Sequence, residues 1–453
     1  VTVSSPNVLV VGGGISGLVA AYRLRQQLGD GARITLAEGA GRLGGKLRTD
    51  LLAGEPLDLG AEAFIARRPE VPALLTELGL TEQLVHPAGL RPLIWSQNSL
   101  HPLPQNTLMG IPARPEDLAG LVDHGTLARI EEESELPLRW VPGSDVAVGS
   151  LVGERFGEQV VRRSVDPLLG GVYSGLADTI GVRAALPTLA AALDRGAASL
   201  SAAVAEALPP PSAGPVFGAL RDGYGVLLDA LAAAARAHVV HEQIRTITRE
   251  SDGWSADPVG LVDGIVLAVP APQLADLLAE IAPGAAAAAG RIPLASSAVV
   301  ALALPAAADL PQNSGVLVAT DASLAAKAFT LSSRKWPHLA GRDVAVVRAS
   351  FGRFGDAGIV DAPDADLVAA ARRDLGTVTG VTDEPVAARV QRWYGGLPQY
   401  GPGHLDRVAE IERDIAGLEG VEVSGALLHG VGVPACVASA TTAATRLAER
   451  VAR

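Results

Sequence analysis

Residues 8–11, Val8-Leu9-Val10-Val11, form an apolar run that stops at glycine. That is the pattern of a parallel strand covered on both faces. Beyond residue 17 the apolar positions spread to Leu18, Ala21, Leu24 and Leu28. This is helical spacing, and Gly29-Asp30-Gly31 ends it. Arg33-Ile34-Thr35-Leu36-Ala37 is a second short strand that closes on Glu38. Further along, Val239, Val240, Ile244 and Ile247 predict a strand pair within 238–250, and 264–270 predicts another buried strand. A charged helix is expected around 127–135, after a proline-rich stretch from Pro87 to Pro115. Ala444, Leu447 and Val451 share one face of a final helix over 441–451. The run 209–212, Pro-Pro-Pro-Ser, reads as a stiff exposed linker or loop. No internal repeat stands out.

The first connection carries chemistry. Gly12, Gly13, Gly14, Ile15, Ser16 and Gly17 read GxGxxG between a strand and a helix. In that position the first glycine permits a tight turn. The second lets a pyrophosphate approach the backbone, and the third lets helix and strand pack closely. The helix N-terminus faces the phosphates. Glu38 ends the second strand 21 residues past Gly17, where a carboxylate accepts hydrogen bonds from a ribose diol and repels a 2′-phosphate. Strand, glycines, helix, strand and acid in register predict a dinucleotide site, with FAD and NAD not separated at this point.

Composition narrows the class. The chain has 453 residues, 48% hydrophobic and 19% charged, enough for two or three domains. A net charge of −12 disfavours nucleic-acid binding, which needs a basic surface. Cys436 is the single cysteine, so no intrachain disulfide and no CxxC metal pair is expected, and a reducing compartment fits. The eight histidines show no HxxxH or HxH spacing, so no metal is expected. Residues 1–7 carry no basic side chain and are not read as a signal peptide. No apolar run approaches the ~20 residues of a membrane span. The expectation is a cytoplasmic protein with at most peripheral membrane contact.

The segment after Glu38 separates the cofactors. Gly39-Ala40-Gly41-Arg42-Leu43-Gly44-Gly45-Lys46 resembles the GRxGG extension of the FAD-binding amine-oxidase-like superfamily. Leu57-Asp58-Leu59-Gly60-Ala61-Glu62-Ala63-Phe64 resembles the D-x-G segment that passes near the flavin there. Later segments resemble porphyrinogen oxidases in particular. They are Phe64-Ile65-Ala66-Arg67-Arg68-Pro69, Leu100-His101-Pro102-Leu103-Pro104 and Asp166-Pro167-Leu168-Leu169-Gly170-Gly171-Val172-Tyr173-Ser174-Gly175. Ser332-Ser333-Arg334-Lys335-Trp336-Pro337, the stretch from Arg392-Trp393 through Leu397-Pro398-Gln399-Tyr400 to His404, and residues 429–437 continue the series in family order. The chain therefore resembles the FAD-dependent, oxygen-using protoporphyrinogen/coproporphyrinogen oxidase family, in its soluble Gram-positive bacterial form. It departs from the family pattern at Ala435, Ala440 and Asp222.

The resemblance implies a mixed α/β (α+β) architecture. A Rossmann-like FAD-binding domain is expected over 1–65, 215–285 and 420–453. A sheet-containing substrate domain is expected over 66–85, 180–214 and 286–419, and a helical, membrane-facing-type domain over 86–179. It implies FAD contacts at Gly12, Gly13, Gly14, Ile15, Ser16, Gly17, Glu38, Gly39, Arg42, Gly44, Gly45, Lys46, Gly60, Ala61, Glu62 and Ala63. Ile244, through its backbone, Trp393, Val431, Gly432 and Val433 complete the set. Arg68 is expected to pair with a substrate propionate, with Arg334 and Lys335 as weaker candidates. The Gly171 backbone is expected to stabilise N–H charge on the macrocycle. Cys436 is expected to serve packing, and His404 to be structural rather than a base.

The reaction implied is a six-electron aromatisation of coproporphyrinogen III by dioxygen in haem synthesis. Protoporphyrinogen IX is the alternative substrate, and the next haem-pathway enzyme a conceivable partner. An amine oxidase, a desaturase or a non-catalytic flavoprotein on the same fold remain further readings.

Overall fold

A computed structural model describes residues 5–210 and 214–452. Of the linker at 209–212, Pro211 and Ser212 lie outside the described residues, as do residues 1–4. The elements that position the site are, in chain order, β1 (Asn7–Val11), α1 (Ile15–Leu28), β2 (Arg33–Ala37), the hairpin β3 (Leu93–Ser96) and β4 (Ser99–Pro102), and helix α2 (Asp166–Tyr173). Then come β5 (His238–Val240), β6 (Gly264–Leu267), the long strand β7 (Leu294–Pro305), β8 (Gly315–Val318), β9 (Ala328–Thr330), β10 (Val344–Phe351), β11 (Ala387–Pro398), β12 (Val421–Val423) and helix α3 (Val433–Val451).

Five of these strands form a sheet in the order β5-β2-β1-β6-β12, parallel throughout. The apolar run of β1 explains its central place. Val8 and Val10 pack into one core with α1 and α3, while Leu9 and Val11 pack into a second core on the other face. A strand buried on both faces has no use for polar alternation. Gly29, at φ +75°, ends α1, a positive φ that glycine adopts at little cost.

The second sheet has seven strands, ordered β11-β7-β10-β9-β8-β3-β4, antiparallel except for the β8–β3 pair. Helices from 124 to 207 pack in a separate core around Val152, Leu169, Leu189 and Val204.

Four expectations change. The pair expected over 238–250 divides between sheets. Residues 238–240 join the parallel sheet, whereas Thr246–Glu250 forms a hairpin with Gly253–Asp257. The final helix starts at Val433 rather than 441, with Pro434 in its first turn, where the missing N–H is not needed. β3 and β4 fall in the seven-stranded sheet although 86–179 was expected to be helical. The helices Val182–Ala185, Pro187–Asp194 and Leu200–Ala207 pack into the helical core rather than with the sheet. In both of the last cases the packing partner, not the local sequence, decides membership. No helix among the described residues is long and apolar enough to cross a membrane.

Candidate functional site

The glycines of the first turn do different work. Gly12 sits at φ +102°, and a side chain there would collide with the Ala268 carbonyl; one at Gly17 would collide with the Gly12 carbonyl. Both are demanded by the protein's own packing. Gly14 is not. Its φ of −72° suits any residue, and an added Cβ would meet only the Gly45 Cα, at 3.8 Å. The missing side chain at 14 therefore leaves open a cradle that the fold itself does not require. Ile15 and Ser16 are buried in the first turn of α1. Glu38 is buried at the end of β2, where Oε2 accepts from the Gly13 N–H at 2.7 Å and Oε1 from the Ala40 N–H at 2.6 Å. A carboxylate has about four lone-pair sites, so two remain for a ligand.

The second glycine turn lies directly on the first. The Gly44 N–H donates to the Gly13 carbonyl at 2.7 Å, and Gly45, at φ +57°, backs against Gly14. Arg42 folds over this turn, donating to the carbonyls of Leu43, Gly45 and Leu47, with its guanidinium 5.9 Å above the Trp393 ring. Lys46 Nζ donates to the Gly395 carbonyl at 2.9 Å. Solvent reaches this side chain, yet surrounding protein desolvates the ammonium and holds it below the usual lysine value, the condition of a group standing in a cleft. Of the expected contacts only Arg42 borders the cavity of about 500 Å³ that runs past Leu47, Arg48 and Leu228.

The N-terminus of α3 joins them. Ser16 lies beside Cys436 near the starts of α1 and α3, and Gln27 donates to Thr445 at 3.0 Å near their far ends. The two helices therefore run parallel, with Gly14 and Gly432 as their N-caps side by side. Val431, Gly432 and Val433 thus reach the glycine turns through tertiary packing. Two helix N-termini at one place make a seat for an anion such as pyrophosphate.

Ile244 lies in the segment after β5, which passes close by, since an added Cβ at Gly39 would come within 3.2 Å of the Gln243 Cβ. The Ile244 peptide makes no hydrogen bond to another described residue. On the other side, Trp393 Nε1 donates to the Leu59 carbonyl at 3.0 Å, and its ring edge would come within 2.9 Å of a Cβ at Gly60. Ala61 and Ala63 flank Glu62, whose carboxylate is taken up by Lys335 Nζ at 2.6 Å, Trp336 Nε1 at 3.1 Å and Arg348. These cations hold the Glu62 carboxyl well below the usual range despite its burial. Glu62 is therefore committed to protein contacts through its side chain. Nearby Asp58, which accepts from Thr49 Oγ1 and the Tyr224 N–H, is raised to about 6 by burial.

The structure separates the substrate candidates. Arg68 is exposed and paired with Glu70. A propionate there would have to displace that carboxylate. Arg334 donates to the Leu310 carbonyl and Lys335 to Glu62, so both are engaged. Gly171 is exposed near the C-terminus of α2, and its carbonyl accepts no hydrogen bond from another described residue. Cys436 is buried and its thiol pushed up to about 11, so it stays protonated. His404 is buried, stacked 3.8 Å from Tyr400 and bonded to the Leu428 carbonyl, with burial pushing its pKa down to about 4.

Two cations beside α2 escaped the sequence reading. Lys327 is buried and donates to Ser174 Oγ at 2.6 Å and the Gly352 carbonyl at 2.7 Å. Burial pushes its ammonium down to about 7. Arg353 follows β10 in the same cluster. The signal available for them was faint: a glycine followed by arginine after a strand.

Residues 15–448 match the family model "Flavin containing amine oxidoreductase". A coproporphyrinogen III oxidase of Mycobacterium tuberculosis is 57% identical over 445 residues, which is 97% of each chain. A solved structure of a provisionally assigned protoporphyrinogen oxidase from Exiguobacterium superposes with a TM-score of 0.87 at 29% identity, covering 98% of this chain and 99% of that one. Cyclohexylamine oxidase from Brevibacterium oxydans, at 15% identity and a TM-score of 0.72 over 99% of this chain and 100% of its own, shares the fold alone.

Proposed function

The chain belongs to the flavin-containing amine oxidoreductase family, and we propose that it is an FAD-dependent oxidase converting coproporphyrinogen III to coproporphyrin III. The observation that carries the substrate is full-length similarity to coproporphyrinogen III oxidases, 57% identity over 97% of the chain. The observation that carries the cofactor is the cradle at Gly14, left open by a glycine that the fold does not need, where two parallel helices begin.

In this reading the N-termini of α1 and α3 hold the FAD pyrophosphate, with Gly13, Gly14 and Gly45 giving it close approach. Glu38 takes the ribose hydroxyls, and the Ile244 peptide meets the adenine. Trp393, Gly60 and Ala61 wall the ring system, with Arg42 and Lys46 supplying positive charge beside it. Bound flavin supplies the hydride acceptor and passes the electrons to dioxygen. Overall, one porphyrinogen and three dioxygen molecules give one porphyrin and three hydrogen peroxides, six electrons in all. The protein orients the macrocycle. The free Gly171 carbonyl, at the negative end of α2, stabilises positive charge that develops on a pyrrolic N–H.

Oxygen consumption tests the reading directly. The purified yellow protein should oxidise coproporphyrinogen III with a higher kcat/KM than protoporphyrinogen IX at matched ionic strength. A clear preference for protoporphyrinogen IX overturns the substrate. A colourless protein that oxidises neither overturns the function.

A further inference from the structure

Arg353 differs from the other basic groups around the cleft. Arg68 has Glu70, Arg334 has a carbonyl, Lys335 and Arg348 share Glu62, and Arg392 has Asp364. The Arg353 guanidinium, half-buried, makes no hydrogen bond and no ion pair with any described residue. Burial lowers its proton affinity, while Asp166 and Asp356 attract it from beyond bonding distance. Asp166 is already committed to the Ala177 N–H at 2.8 Å and Thr320 Oγ1 at 2.7 Å. The Arg353 nitrogens still reach solvent, so a planar anion can approach this partly desolvated fork without displacing an existing ion pair.

Its position is well defined. Gly352, at φ +79°, turns the chain off β10, and its Cα backs on Ser296 and Ser297; Ser297 is paired with Trp393 on the neighbouring strand. On the other side the Phe354 N–H donates to the Ser174 carbonyl at 2.7 Å. Lys327 clasps Ser174 Oγ and the Gly352 carbonyl. Arg353 therefore stands between the sheet end that carries Trp393 and the C-terminal end of α2, where Gly171 and Val172 are exposed. Lys327, which burial and the nearby Arg353 push down to about 7, lies in the same cluster and is only partly charged at neutral pH.

We propose that Arg353 seats a carboxylate of the porphyrinogen, using its planar fork to pair with one propionate. This rests on the porphyrinogen reading above. The test is equilibrium binding of the product porphyrins, coproporphyrin III and protoporphyrin IX, to the flavin-loaded protein, read by quenching of porphyrin fluorescence. Arg353→Gln is expected to weaken coproporphyrin III binding about tenfold or more, and Arg353→Lys to restore part of it. Flavin content and melting temperature should match the parent protein. An equal loss for both porphyrins places the carboxylate among the two propionates they share, and a loss for coproporphyrin III alone places it among the other two. Unchanged affinity for both overturns the proposal, as does a loss of flavin that parallels the loss of porphyrin. Failure of the parent protein to oxidise either porphyrinogen is a separate result, which overturns the function rather than the seat.

Discussion

The Glu62 carboxylate lies 2.6 Å from the Lys335 ammonium and accepts from Arg348 as well, so a residue leaving the first glycine-rich half is fastened to the seven-stranded sheet. Removing one partner of a buried pair strands the other's charge. Glu62→Gln leaves Lys335 and Arg348 facing each other without a counter-charge, and should cost about 3–5 kcal/mol of stability. Urea unfolding of variant and parent at pH 7 measures it; a change near zero would show that solvent reaches the cluster.

Gly14→Val should abolish flavin content while leaving the fold intact, because an added Cβ there meets only the Gly45 Cα at 3.8 Å. Gly17→Ala should instead lower the melting temperature, because its methyl group collides with the Gly12 carbonyl. Flavin absorbance per mole of protein and thermal melting separate the two effects. A yellow Gly14→Val protein would place the phosphate elsewhere.

Asp58 gives a pH dependence of definite sign. Its folded-state value, raised by burial from 3.8 to about 6, means that the folded state holds this proton more tightly than the unfolded chain does. Below pH 4 both states are protonated. As pH rises from about 4 to 6 the unfolded chain ionises first, and stability falls by about 3 kcal/mol, then stays level. Asp58→Asn removes this component, so its urea midpoint should gain on the parent's between pH 4.5 and 7.5. Parallel pH profiles would mean that Asp58 is ionised throughout.

Glu70 competes with any substrate carboxylate for Arg68. If Arg68 also binds a propionate, Arg68→Ala should raise KM about tenfold with kcat little changed. Glu70→Gln, which frees the guanidinium, should lower KM. Steady-state kinetics on coproporphyrinogen III decide the matter, and KM unchanged in both variants returns Arg68 to the solvated surface.

The strand, glycine turn, helix and second strand within residues 8–38 were legible because the pattern is local, each element following from its neighbours. The start of α3 was not, because residues 429–437 read as a glycine-broken motif and only packing against α1 reveals the helix that begins there. The division of 238–250 between two sheets was hidden for the same reason. Arg68 stood out in the sequence because two arginines sit in a recognisable loop, whereas its ion pair with Glu70 needed coordinates. Arg353 was overlooked because what distinguishes it is the absence of a partner, and partners are tertiary facts.

The side-by-side N-caps of α1 and α3 also constrain the order of assembly. Gly14 and Gly432 lie far apart in sequence, so a ligand seat that uses both cannot be complete until residue 432 has been synthesised. If flavin sits on both N-caps, its capture is a late event, and a yellow colour would report the joining of two distant segments rather than the folding of one motif.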